Sequence, residues 1–192
     1  ITPVYTQSIF GRIPDVEKTM TSDIKKPGES HLYLVGLPSS GMAGSDYYDI
    51  AGGESAQIPK VNTPTLKPTL EKIHSAIKSG QVLACHDVSE GGLVTAVAEM
   101  CFGSNSGATI NIPQDEDFET FLFNETAGCF IVEVADTVTA DAAFDGVPYK
   151  RIGSTSHEVE FKVREGNWRT LFETSTIELK DSWQARMKGI FH

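Results

Sequence analysis

Val82-Leu83-Ala84-Cys85-His86-Asp87-Val88-Ser89-Glu90-Gly91-Gly92-Leu93 is the stretch that declares the fold class. Val82 to Cys85 reads as a short buried strand, and His86 to Gly92 as a loop with a tight Gly-Gly turn. From Leu93 onward, Ala96, Val97 and Met100 recur at helical spacing until Gly103. A strand that turns directly into a helix needs both elements to bury their apolar faces against each other, so sheet and helices share one core.

The same alternation extends outward. Upstream, Leu66, Leu70, Ile73 and Ile77 give a helix over 66–79, with Gly80 at its end. His31 to Leu37 reads as a strand, and the Gly- and Ser-rich stretch 38–53 as a loop with room for one short helix. Downstream come a strand over 108–112, an acidic-started helix over 115–123, a strand over 129–134 and a short helix over 138–144. Strands over 149–152 and 159–163 form a hairpin around Thr155-Ser156-His157, and 171–187 is helical in part. The expected class is α+β: a mixed sheet with helices packed on it. Residues 1–29, punctuated by Pro14 and Lys25-Lys26-Pro27-Gly28, read as a linker or the end of a preceding domain, and 30–192 as the domain proper. The chain starts at Ile1 and is expected to be part of a longer protein.

Composition narrows the function. The 192 residues carry a net charge of −10, and the only adjacent basic pairs are Lys25-Lys26 and Lys150-Arg151. A nucleic-acid partner is therefore not expected. No apolar run approaches the ~18 residues of a membrane span, and no signal peptide is visible. Three cysteines, without CxxC spacing, argue against a disulfide framework or a structural zinc and suit a reducing cytosol.

Three segments carry candidate chemistry. Around His86, Asp87, Ser89, Glu90, Gly91 and Gly92, glycines bare backbone N–H groups and the helix start adds unpaired donors and partial positive charge, which suits phosphate. Ser89 is placed to cap the helix or bond a phosphate oxygen, and Asp87 and Glu90 to meet the Mg²⁺ that accompanies nucleotide phosphates. The same pattern fits a capped helix with a structural Gly pair. Cys85 and His86 point to opposite faces of a strand and do not form a dyad. The second segment, Gly41-Met42-Ala43-Gly44-Ser45-Asp46-Tyr47-Tyr48, offers backbone donors at Gly44 and Ser45, or is an ordinary surface loop. The third, Leu122-Phe123-Asn124-Glu125-Thr126-Ala127-Gly128, puts Glu125 before a strand, as a metal or nucleotide ligand or as a turn residue.

Taken together, the three segments resemble the formylglycinamidine ribonucleotide synthetase family. Residues 86–93, continuing through Ala98-Glu99-Met100, are similar to its HDVS[DE]GGL…AEM signature; 43–48 to its GGSEYY motif; 122–125 followed by Phe130-Ile131-Val132-Glu133-Val134 to LFSE…FVVEV; Ile152-Gly153 to a late IG turn; and Thr2-Pro3-Val4 to the segment closing the preceding domain. Ala43, Asn124 and Cys129 depart from the family's usual Gly, Ser and Arg. The resemblance implies a fold like the C-terminal domain of aminoimidazole ribonucleotide synthetase and an ATP- and Mg²⁺-dependent ligase of purine biosynthesis. That enzyme converts formylglycinamide ribonucleotide and ammonia into the amidine. It implies phosphate or nucleotide contacts at His86, Asp87, Ser89, Glu90, Gly91, Gly92, Gly44 and Ser45, and metal contacts at Asp87 and Glu125. It further implies a cytoplasmic location and, as partners, N-terminal domains of the same synthetase, which supply much of the catalytic apparatus, and a glutamine amidotransferase. The isolated piece is expected to be inactive. Two other readings are a docking domain without catalytic contacts and a sister ATP-dependent enzyme such as a hydrogenase maturation protein.

Overall fold

The computed structural model describes residues 6–53, 57–166 and 169–189. Thr2-Pro3-Val4 lies outside them. Among the described residues the chain forms β1 (His31–Val35), α1 (Asp46–Ala51), α2 (Thr63–Lys78), β2 (Ala84–Asp87), α3 (Gly92–Ser104) and β3 (Gly107–Ile112). There follow α4 (Phe118–Phe123), β4 (Phe130–Val134), α5 (Thr137–Phe144), β5 (Tyr149–Ser156), β6 (Glu160–Glu165), β7 (Arg169–Ser175) and α6 (Thr176–Lys188). The seven strands make one mixed sheet in the order β2-β4-β1-β5-β3-β6-β7. Every pairing is antiparallel except β3 with β6.

Side-chain alternation on the central strands builds two apolar layers. Leu32 and Leu34 of β1 and Ile131 of β4 face one side, where they meet Leu93, Val97 and Met100 of α3 and Leu122 of α4. Tyr33, Val35, Val132 and Val134 face the other, against Ile73 and Ala76 of α2 and Ala140, Ala143 and Phe144 of α5. A strand covered on both faces reads as a continuous apolar run, which is why 31–35 and 130–134 are legible. Each of the Val, Leu, Ile, Met and Phe side chains among them contributes about 1.5–3 kcal/mol on burial. The sandwich of helices on both faces of a mixed sheet is the architecture the alternation implied.

Within β4, Glu133 is fully buried. Its carboxylate accepts from Lys25 N (2.7 Å), Lys26 N (2.8 Å) and Ser30 Oγ (2.6 Å). A buried carboxyl group is tolerable only with its oxygens hydrogen-bonded, and two consecutive amides plus a hydroxyl do so here. Residues 25–30 are thereby fixed against β4.

Three expectations about the elements are corrected. Strands 149–156 and 160–165 do not pair as a hairpin: β5 lies between β1 and β3, and β6 runs parallel to β3 on its far side. Residues 169–175 are a strand, β7, paired with β6, so the terminal helix starts only at Thr176. Helix α2 begins at Thr63, ahead of Leu66, because the Asn62 side chain caps it by accepting from Thr65 N at 3.2 Å.

Candidate functional site

The registers Val35↔Phe130, Val35↔Tyr149 and Asp87↔Phe130 bring the last residues of β1 and β2 and the first of β4 and β5 to one end of the sheet. All three segments singled out in the sequence emerge there. The chain after β1 forms loop 36–45 and enters α1 at Asp46, capped by the Ser45 side chain, which accepts from Tyr48 N. The chain after β2 turns through 88–91 into α3.

Asn124, Glu125 and Thr126, between α4 and β4, hold these two connections. Glu125 Oε1 accepts from Gly91 N at 2.8 Å and from Asp46 N at 3.0 Å. Asn124 is buried, and its amide donates to Ser39 O (2.7 Å) and Gly41 O (2.8 Å). Thr126 Oγ1 accepts from Ser39 N at 3.0 Å. On the α4 side, Tyr47 stacks on Phe123 with ring centroids 4.2 Å apart. Desolvation and a hydrogen bond to Glu119 raise the Tyr47 hydroxyl above its ordinary pKa. The Asp117 carboxyl, which caps α4 by accepting from Thr120 N, lies below the usual range.

The other predicted site residues are distributed as follows. His86 is on β2, not in the loop. Its Nε2 lies 3.0 Å from Glu99 Oε2 on α3, and its Nδ1 lies 2.7 Å from Asp87 O. Cys85 faces the opposite layer, and burial pushes its thiol up to about 11, so the two are no dyad. Asp87, Ser89 and Glu90 are exposed. Ser89 does not cap α3: the N-cap is Gly91, with no side-chain bond, while Ser89 O accepts from Gly92 N at 3.0 Å. Gly92 has φ +71°, and a Cβ there would stand 2.6 Å from the Phe123 backbone. The close approach it permits is to α4. Gly44 is exposed, with φ +76° and open space around it. The N–H groups of both Gly91 and Gly92 are thus engaged within the protein. Beside Asn124 and Thr126 lies a cavity of about 430 Å³ whose lining includes Ser39, Phe121, Cys129 and Lys150 but none of the predicted site residues.

Mg²⁺ takes about six oxygen ligands, several of them waters and substrate phosphates. Among the described residues no three His, Cys, Asp or Glu side chains are grouped as a metal site. Asp87 and Glu125 thus lie in no such group among the described residues. Among them, too, no helix is long and apolar enough to cross a membrane.

Sequence reasoning missed Asn124 and Thr126 as hub residues. The available signal was a short run of hydrogen-bonding side chains, Asn124-Glu125-Thr126, immediately before a buried strand, where loops must be tied down.

Residues 29–165 match the family described as "AIR synthase related protein, C-terminal domain". The chain belongs to this family. Among its curated relatives, the phosphoribosylformylglycinamidine synthase subunit PurL of Azorhizobium caulinodans is 30% identical over 95% of this chain, a match that takes in 25% of that protein. The chain thus spans about a quarter of the length of the curated relatives it matches. Among solved structures, T. maritima PurL complexed with FGAR aligns with TM-score 0.70 at 17% identity, covering 85% of this chain and 30% of that one. Its complex with ATP gives 0.67 at 16%, covering 85% and 27%. The hydrogenase maturation protein HypE in complex with ATP gives 0.53 at 16%, covering 83% and 55%. At these identities the likeness shows the fold alone, which HypE shares less closely.

Proposed function

We propose that this chain is the carboxy-terminal domain of an ATP-dependent carbon–nitrogen ligase of purine biosynthesis, which makes formylglycinamidine ribonucleotide from formylglycinamide ribonucleotide and ammonia. The observation that carries the reading is the convergence of the three motif segments on Glu125 at one end of the sheet. The PurL relatives support it, and the quarter of their length spanned here leaves the remaining catalytic apparatus to N-terminal domains of the same synthetase.

The reaction consists of two displacements. The formamide oxygen attacks the γ-phosphorus of ATP and ADP leaves; ammonia then attacks the activated carbon, inorganic phosphate leaves, and the nitrogen gives up protons to form the amidine. Neither step needs a protein nucleophile, so positioning and charge stabilisation dominate. This domain contributes one rigid wall of the cleft: the start of α3 beside Ser89 and Glu90, the Gly44–Ser45 loop, and Asp87 as an exposed carboxylate for nucleotide-bound Mg²⁺. His86, held between Glu99 and the Asp87 carbonyl, fixes the end of β2 beneath that wall. A glutamine amidotransferase supplies the ammonia, and free, buried thiols accord with a cytoplasmic location.

The test is conversion of formylglycinamide ribonucleotide by the full-length protein, with ATP and ammonium, beside a version lacking this domain. Amidine formation that disappears with the domain is expected. ATP consumption on a different acceptor, with no amidine formed, would move the protein to a sister branch of the family.

A further inference from the structure

Glu125 does something that neither a ligand contact nor a turn residue requires. A single oxygen, Oε1, takes the N–H of Gly91, the N-cap of α3, and the N–H of Asp46, the first residue of α1. These donors belong to loops 45 residues apart in sequence. The carboxylate's own backbone has little slack. On one side Asn124 binds Ser39 O and Gly41 O; on the other Thr126 binds Ser39 N. The turn side is fixed as well, because Gly92 lies against the Phe123 backbone.

We propose that Glu125 is a positioning residue, which locks the Gly44–Asp46 loop to the Ser89–Gly92 turn so that they form one rigid wall, and that it acts as a hydrogen-bond acceptor and not as a metal ligand. The two N–H bonds occupy Oε1 and leave Oε2 open, but among the described residues no group of three His, Cys, Asp or Glu side chains that could share a cation with it is present. Both bonds go to a carboxylate oxygen, at 2.8 and 3.0 Å, the kind that holds a geometry. The kinetic part of the inference rests on the ligase reading; the structural part does not.

Three variants of the full-length protein separate the roles. Glu125→Gln keeps an oxygen at the same reach with two lone pairs, though it loses the charge. Glu125→Asp keeps the charge but falls a methylene short. Glu125→Ala loses both. Hydrogen exchange is followed in peptides spanning 41–48 and 88–95, with KM and kcat for ATP and the ribonucleotide alongside. In Ala and Asp, exchange is expected to rise in both peptides together, about ten-fold or more at Asp46 and Gly91. KM should rise while kcat falls less. Gln, which keeps the acceptor without its charge, should fall between wild type and Ala in exchange and in KM. The proposal is overturned if only one peptide responds, or if Gln behaves like Ala and excess Mg²⁺ rescues it, which would make Glu125 a metal ligand. A wild-type protein without ligase activity would sink the functional reading, while the exchange data would still decide whether the lock exists.

Discussion

Replacing Gly92 with alanine probes the packing at the head of α3 directly. At φ +71° an L-residue bears a left-handed penalty of about 1–2 kcal/mol. The new Cβ would also stand 2.6 Å from the Cα and C of Phe123 and 2.7 Å from Leu122 O. All three are backbone atoms, so no rotamer change relieves the overlap, and α3 and α4 must part by nearly an ångström. Overpacking of that kind costs about 1–3 kcal/mol. The sum, about 2–5 kcal/mol, is a large share of the ~5–15 kcal/mol that holds a domain together. Gly44 is the control: its φ is +76°, but nothing lies within 4 Å of its would-be Cβ. Gly44→Ala should therefore cost only the left-handed penalty of about 1–2 kcal/mol. Urea unfolding of both variants, followed by circular dichroism, measures the difference. Equal midpoints for the two would refute the packing argument and return Gly92 to a role in ligand approach. The larger loss expected also means that a defect in Gly92→Ala cannot by itself be assigned to lost ligand binding.

Two further outcomes follow from buried groups. Glu133→Ala orphans the amides of Lys25 and Lys26, at about 1–3 kcal/mol each. Tryptic cleavage between Lys25 and Lys26 should accelerate sharply, with Glu133→Gln in between; an unchanged rate would remove the anchor. Burial lifts the Cys85 and Cys129 thiols from 9.0 to about 11 and Cys101 to about 12. Iodoacetamide at pH 8 should therefore label Cys85 and Cys129 about 100-fold more slowly than an ordinary thiol. Because the folded values are raised, their contribution to stability is complete below pH 9 and is lost as pH rises through 11. A pH–stability curve from 8 to 11 checks this, and a flat curve would contradict it.

How far the sequence reading reached is a matter of range. Leu32 to Val35 and Ile131 to Val134 announce themselves because both faces are covered, and α3 because its apolar residues surround the helix. The pairing of β5 with β3 could not be read, since Gly107↔Ser156 joins residues 49 apart in sequence. Local turn residues at 155–157 therefore suggested a hairpin instead. One clue was present: Gly153, inside a strand, sits where a Cβ would meet Thr109 O at 2.0 Å, and an isolated strand glycine marks such an approach. β7 was hidden because Arg169 to Ser175 lies on the sheet edge, largely exposed, with little apolar alternation. At the site, residue types and their motif were legible, but the partners were not. Glu125 was singled out for its charge, yet which N–H groups it meets depends on three chain segments arriving at one place.

The strand order has a consequence for how the chain reaches this structure. Only β6 and β7 are neighbours both in sequence and in the sheet. His31 pairs with Val134, 103 residues later, and a ribosome adding about 5–20 residues per second needs roughly 5–20 s to deliver that partner. During this interval β1 waits with unpaired edges and apolar side chains. Folding should therefore be slow, in the millisecond-to-second regime of nonlocal topologies. Newly made chains should depend on chaperones or low temperature for yield far more than the stability of the finished sheet would suggest.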